Sequence, residues 1–113
     1  MQPRLSSHVL VSALIRRAES EGGFAAVLAK GDRDAGAITV ILVERGGNLR
    51  ILERMLQPDG SYLWHPISTQ AAGNTEELNK FLARRRKTDP DMWLIELDIA
   101  SAERFAAEMN ASS

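Results

Sequence analysis

Residues Gly36-Ala37-Ile38-Thr39-Val40-Ile41-Leu42-Val43-Glu44 are near-continuously apolar and rich in β-branched side chains. In an extended chain Ile38, Val40 and Leu42 fall on one side and Thr39, Ile41 and Val43 on the other. A segment apolar on both sides has to be covered on both, so the pattern predicts a central strand over 36–44.

The flanking patterns predict the rest of the layer. Ser6 or Ser7 caps a helix running to about Glu21, with Val11, Leu14, Ile15 and Ala18 at helical spacing and Gly22-Gly23 as its stop. Phe24 to Lys30 is an apolar run compatible with helix or strand, and it is read as a strand because the glycine pair precedes it and the turn-forming Gly31-Asp32-Arg33-Asp34-Ala35-Gly36 follows. After the central strand, Arg45-Gly46-Gly47-Asn48 has the composition of a hairpin connection with positive φ. Leu49 to Leu56 returns, with Leu49, Ile51, Glu53 and Met55 on one face and Arg50, Leu52, Arg54 and Leu56 on the other. Pro58-Asp59-Gly60-Ser61 turns the chain again into a short strand over Tyr62 to Ile67, which Pro66 restricts to a sheet edge.

Ser68 to Gly73 reads as a loop, and Asn74 with Glu77 resembles a capping box that starts a helix to about Arg86, with Leu78, Phe81 and Leu82 facing inward. Asp89-Pro90 ends it. Asp91 to Asp98 is a further strand with Trp93, Ile95 and Leu97 towards the core. A last helix from Ser101 sets Ala102, Phe105, Ala106 and Met109 on one stripe, and Asn110 to Ser113 is expected to fray. Residues 1–113 are thus expected to form a single α+β domain. Its mostly antiparallel sheet of about five strands carries three helices, and the tight turns between successive strands exclude a doubly wound nucleotide-binding sheet.

Composition narrows the function classes. Fourteen basic residues against fifteen acidic ones give a formal net charge of −1, so no global field draws the chain to nucleic acid or an anionic membrane. With no cysteine there is no disulfide, thiolate nucleophile or cysteine-bound metal, which fits a cytoplasmic setting. The apolar run Val9 to Ile15 is followed by Arg16-Arg17, the reverse of signal-peptide order, and no stretch approaches the roughly 18 apolar residues of a membrane span.

Candidate chemistry is sparse. His8 and His65 lack a partner at metal-ligand spacing. Asp32 with Asp34, and Asp89 with Asp91, are paired carboxylates able to hold a cation or share a proton, although turns use aspartate to bind their own backbone and neither pair extends to a calcium loop. The glycines spell no phosphate-binding loop, and there is no serine-hydrolase elbow or zinc-protease helix motif, so no cofactor or metal is expected. Arg84-Arg85-Arg86-Lys87 is the densest basic run, but four consecutive helical residues spread around the circumference instead of forming one phosphate-gripping row, which makes nucleic acid an unfavoured partner. Trp64, on the expected edge strand, is the better candidate of the two tryptophans for a binding contact.

Arg4 to Ser7 ahead of Val11 to Arg17, then Gly22-Gly23-Phe24-Ala25-Ala26-Val27, Lys30-Gly31-Asp32, Ala35-Gly36-Ala37-Ile38 and Asp89-Pro90-Asp91-Met92-Trp93-Leu94-Ile95-Glu96-Leu97, together resemble a small bacterial family known only as a domain of unknown function. The resemblance spans nearly the whole chain. It implies a cytoplasmic protein and brings no activity, ligand or catalytic residue.

Two readings follow. The first is a non-enzymatic protein-interaction or ligand-binding module that self-associates, as a homodimer or with an unknown protein partner, through short edge strands carrying apolar residues. Arg16, Arg17, Asp32, Trp64 and His65 are its candidate contacts. The alternative is an enzyme whose site brings Arg16 or Arg17 together with Asp32 and His65, or a weak nucleic-acid binder using Arg84 to Lys87.

Overall fold

The computed structural model of the protein describes residues 5–67 and 75–111. Its elements run α1 (Ser7–Ser20), β1 (Phe24–Ala29), β2 (Ile38–Glu44), β3 (Gly47–Leu56), β4 (Tyr62–Pro66), α2 (Thr75–Thr88), β5 (Trp93–Ile99) and α3 (Ala102–Ala111). The five strands form one sheet in the order β1-β5-β2-β3-β4. Only β2 and β5 are parallel among its neighbouring pairs. The expected α+β architecture holds, and the apolar run at 38–43 occupies the middle of the sheet with all six residues buried.

Each face of β2 feeds its own core. Ile38, Val40 and Leu42 join Ile95 and Leu97 beneath Val11, Leu14 and Ala18 of α1 and Phe105 and Met109 of α3. Ile41 and Val43 join Ile51 and Leu94 beneath Leu78 and Leu82 of α2, with Phe81 packed against them. One face therefore carries two helices and the other carries one. The expected loop 68–73 and the Asn74 cap lie outside the described residues.

Local chemistry sets the element ends. Ser6 accepts from the Val9 amide at 3.4 Å, while the amides of Ser7 and His8, which no helical carbonyl can reach, donate to the Asp34 and Arg33 carbonyls at 3.1 and 3.0 Å. The buried Ser7 hydroxyl donates to the Gly36 carbonyl at 2.6 Å, so the start of α1 and the turn before β2 hold each other. At its far end Gly22, at φ +85°, closes α1 with the paired bonds Gly22 N to Glu19 O and Gly23 N to Ala18 O. Arg45 and Gly46 (φ 50° and 83°) make the two-residue turn between β2 and β3, so the returning strand begins at Gly47, two residues earlier than its apolar pattern suggests.

Not every glycine is there for φ. A Cβ on Gly36 would stand 2.3 Å from the Asp91 carbonyl oxygen and one on Gly31 would stand 2.2 Å from it. The turn wraps that carbonyl tightly: Asp32 N donates to Asp91 O at 2.8 Å, and the indole of Trp93 donates to Asp32 O at 2.7 Å. Close packing against Asp91, and not only chain reversal, explains these two glycines.

Two expectations are corrected. β4 is an edge strand as expected, but Trp64, the tryptophan preferred for a binding contact, is buried in the core shared with α3. Asn110 does not fray, because its side chain spans the backbone of Trp64, with Oδ1 accepting from Trp64 N at 2.7 Å and Nδ2 donating to Trp64 O at 3.1 Å. An asparagine amide has the same donor and acceptor as a peptide group, so Asn110 takes the place of a missing neighbour strand.

Two predictions follow from this packing. Gly36→Ala should destabilise the fold by about 2–3 kcal/mol by overpacking, against about 1 kcal/mol for Gly22→Ala, which meets open space and only a φ penalty; urea denaturation distinguishes them. Asn110→Ala should cost about 1–2 kcal/mol in the same assay through loss of both bonds to Trp64.

Candidate functional site

The side chains read as candidates from the sequence do not converge. Arg17 ion-pairs with Glu108 across α1 and α3 and lies 5.0 Å above the Phe105 ring, within a network that continues through Arg104 to Glu21. Arg16 is exposed on the same helix. His65 sits on the opposite face of the sheet: it stands across from Glu53, which stands across from Thr39 and bonds Arg85 of α2. Its Nε2 lies 3.1 Å from Gln57 Nε2. Asp32 spends Oδ2 on the amides of Asp34 and Ala35 in its own turn. The site assembled from Arg16 or Arg17, Asp32 and His65 is therefore not formed, because the sheet lies between Arg17 and His65 and the Asp32 carboxylate is held in its own turn.

The other acidic pair also serves its backbone, with Asp89 Oδ1 accepting from Asp91 N at 3.2 Å. Asp59 does the same in the β3–β4 turn, where the hydroxyl and amide of Ser61 hold its carboxyl below the usual aspartate value. Among the described residues no group of three or more His, Asp or Glu side chains is placed to hold a metal ion.

The basic run at the end of α2 is divided as helical geometry requires. Arg84 and Lys87 are exposed, Arg85 turns inward to Glu53 at 2.5 Å, and Arg86 donates to the Lys30 carbonyl at 3.0 Å beside the end of β1. Two of the four cations are thus engaged within the fold.

Sequence reasoning missed what the α2 face builds around Arg85. A cavity of about 340 Å³ opens between α2 and strands β2 and β3, and its lining includes Thr39, Glu53, Phe81, Arg84, Arg85 and Asp89. Thr39 is buried, and its hydroxyl has no hydrogen-bond partner among the described residues; nor does the buried Nε of Arg85. The one signal in the sequence is that Thr39 is the only hydroxyl inside the run Ile38 to Val43. Its neighbours Glu53 and Arg85 are 14 and 46 positions away and are brought together only by strand register and helix placement. A second cavity, of about 360 Å³, lies at the start of α1 between Leu5, Asp34, Leu56 and Tyr62, with the Arg54 guanidinium 3.8 Å above the Tyr62 ring.

The sheet edges differ. On β4 the groups of Trp64 are taken by Asn110, and Pro66 has no amide to offer. On β1 the edge is open and apolar: Phe24 is 76% exposed, Leu28 50% and Val27 45%, and the strand carries no charge. No helix among the described residues is long and apolar enough to cross a membrane.

Comparison with known proteins identifies the family and no activity. Residues 5–107 match the family described as protein of unknown function (DUF1491). The chain is similar to the crystal structure of a DUF1491 family protein from Caulobacter crescentus CB15, at 35% identity over 90% of this chain and 94% of that one, with a TM-score of 0.79. The solution structure of an A. tumefaciens protein is similar at 31% identity over 92% and 93% of the two chains, with a TM-score of 0.71. No curated protein matches. A match over nearly the whole chain, with relatives of this fold above 30% identity, means that the chain belongs to the DUF1491 family.

Proposed function

We propose that this chain is an interaction module that self-associates, two copies pairing through their β1 strands. The observation that carries the reading is the contrast between the two edges of the sheet: β4 is stopped by Asn110 and Pro66, whereas β1 presents Phe24, Val27 and Leu28 without a guarding charge. An unprotected apolar edge is a pairing template.

A second copy is the occupant that suits it. Trp93 N bonds Ala37 O, so Trp93, Ile95 and Leu97 turn their backbone groups to β2, and Leu94, Glu96 and Asp98 turn theirs to β1. Phe24 and Ala26, opposite Asp98 and Glu96, use their groups inward, which leaves those of Ala25 and Val27 facing out. Antiparallel pairing about a two-fold axis near Ala26 joins Ala25 of one copy to Val27 of the other. Phe24 to Ala29 carries no charge, so equivalent positions meet without like-charge repulsion, and Glu21 before the strand comes near Lys30 after the partner's.

Size-exclusion chromatography with light scattering tests this. The wild-type chain should elute at twice its chain mass at micromolar concentration. Val27→Pro removes an amide that β5 does not use, and Val27→Lys places like charges across the axis; both should give monomers with an unchanged circular dichroism spectrum. A monomeric wild type, or variants that remain dimeric, would overturn the proposal.

A further inference from the structure

The closed edge of the sheet is a surface that pairing through β1 does not involve. We infer that β4 is a second strand-accepting edge held shut by Asn110. Its occupant, once it opens, is β4 of another copy, with Trp64 lying opposite Trp64 across a two-fold axis.

Strand parity decides which groups this edge offers. Ile67 N bonds Ile51 O, so Leu63 and His65 turn their backbone groups to β3, whereas Tyr62, Trp64 and Pro66 turn theirs outward. Both groups of Trp64 are held by one side chain, Asn110 Oδ1 accepting from the amide at 2.7 Å and Nδ2 donating to the carbonyl at 3.1 Å. These are the two bonds that a residue of an added antiparallel strand would exchange with Trp64. The asparagine and the strand therefore compete for a single slot.

The strand has little other protection. Edges are guarded by charge, by proline or by cover, and Tyr62 to Pro66 contains no lysine, arginine or carboxylate. Pro66 withholds an amide but keeps its outward carbonyl. His65 would stand across from Leu63 of the other copy, so the two imidazoles do not meet. Leu63 is 37% exposed and Met55, across from it on β3, is 47% exposed, which adds an apolar flank to the edge. Without Asn110, β4 would be a pairing template much like β1.

Asn110 also stands where it can be withdrawn. α3 ends at Ala111, which places Asn110 in its last turn, the part of a helix that opens most easily, while Ala102 and Phe105 hold the preceding turns in the core. Releasing that turn frees the groups of Trp64 and leaves the sheet intact. Because β1 and β4 lie at opposite ends of the strand order, a copy with both edges open extends into a chain of copies instead of closing as a pair.

Light scattering and amide exchange on Asn110→Ala, made in the Val27→Lys background, test the inference independently of β1. Relative to Val27→Lys alone, the double variant should double in mass at micromolar concentration with an unchanged circular dichroism spectrum, and its Trp64 amide should be protected in the associated form. Asn110→Asp in the same background keeps an acceptor for that amide and sets a carboxylate at the edge, so it should retain the parent mass. An unchanged mass for the Asn110→Ala double variant would overturn the inference. With faster Trp64 exchange the slot is open and stays empty; with unchanged exchange Asn110 is not what closes it. A doubled mass with the Trp64 amide unprotected places the contact elsewhere and overturns it equally, as does a doubled mass for Asn110→Asp. Should Asn110→Ala lose the native spectrum, Asn110→Ser, whose hydroxyl is too short to span both groups, is measured in its place.

Discussion

A strand with no polar face has to be covered on both, and that requirement at β2 organises the molecule. Six consecutive buried residues leave β2 no position except the interior of the sheet, with helices above and below. Its parallel neighbour β5 is fixed at the shared starting end, where Trp93 N bonds Ala37 O and the turn at 31–36 closes on the Asp91 carbonyl. The glycines at 31 and 36 permit that approach and the Ser7 hydroxyl ties α1 to the same turn. Strand register and the placement of the first helix therefore derive from one small region.

Much of this was legible in the sequence because it rests on short-range periodicity. The two-sided run at 38–43, the stripes Val11-Leu14-Ala18 and Ala102-Phe105-Met109, and the turn residues at 45–46 and 58–61 each announce an element within a few positions. Strand order was not legible, since β5 inserts between β1 and β2 by contacts 55–74 positions apart in the chain. Trp64 was misread for a related reason. An edge strand has one buried face as well as one free edge, and Trp64 lies on the face that α3 covers while its backbone lies on the edge that Asn110 covers.

The site was less legible than the fold. Arg17, Asp32 and His65 are the residue types that carry chemistry, but type says nothing about which face a side chain joins, and the sheet lies between Arg17 and His65. Arg85 is hidden in a run of four cations, where only the helical phase separates the one turned to Glu53 from the exposed Arg84 and Lys87. Thr39 reads as an ordinary β-former until register sets it beside Glu53.

The uneven covering of the two faces has a consequence for motion. Among the described residues, the core formed with α1 and α3 has fifteen buried members and the one formed with α2 has seven, to which α2 itself contributes Leu78 and Leu82. Local opening follows the least buried apolar area, so amide hydrogens of α2 should exchange with solvent well before those of β2 and β5, and the helix should lift as a unit while the sheet stays closed. Two contacts near the C-terminal end of α2, Arg85 on Glu53 and Arg86 on the Lys30 carbonyl, hold the helix against that opening.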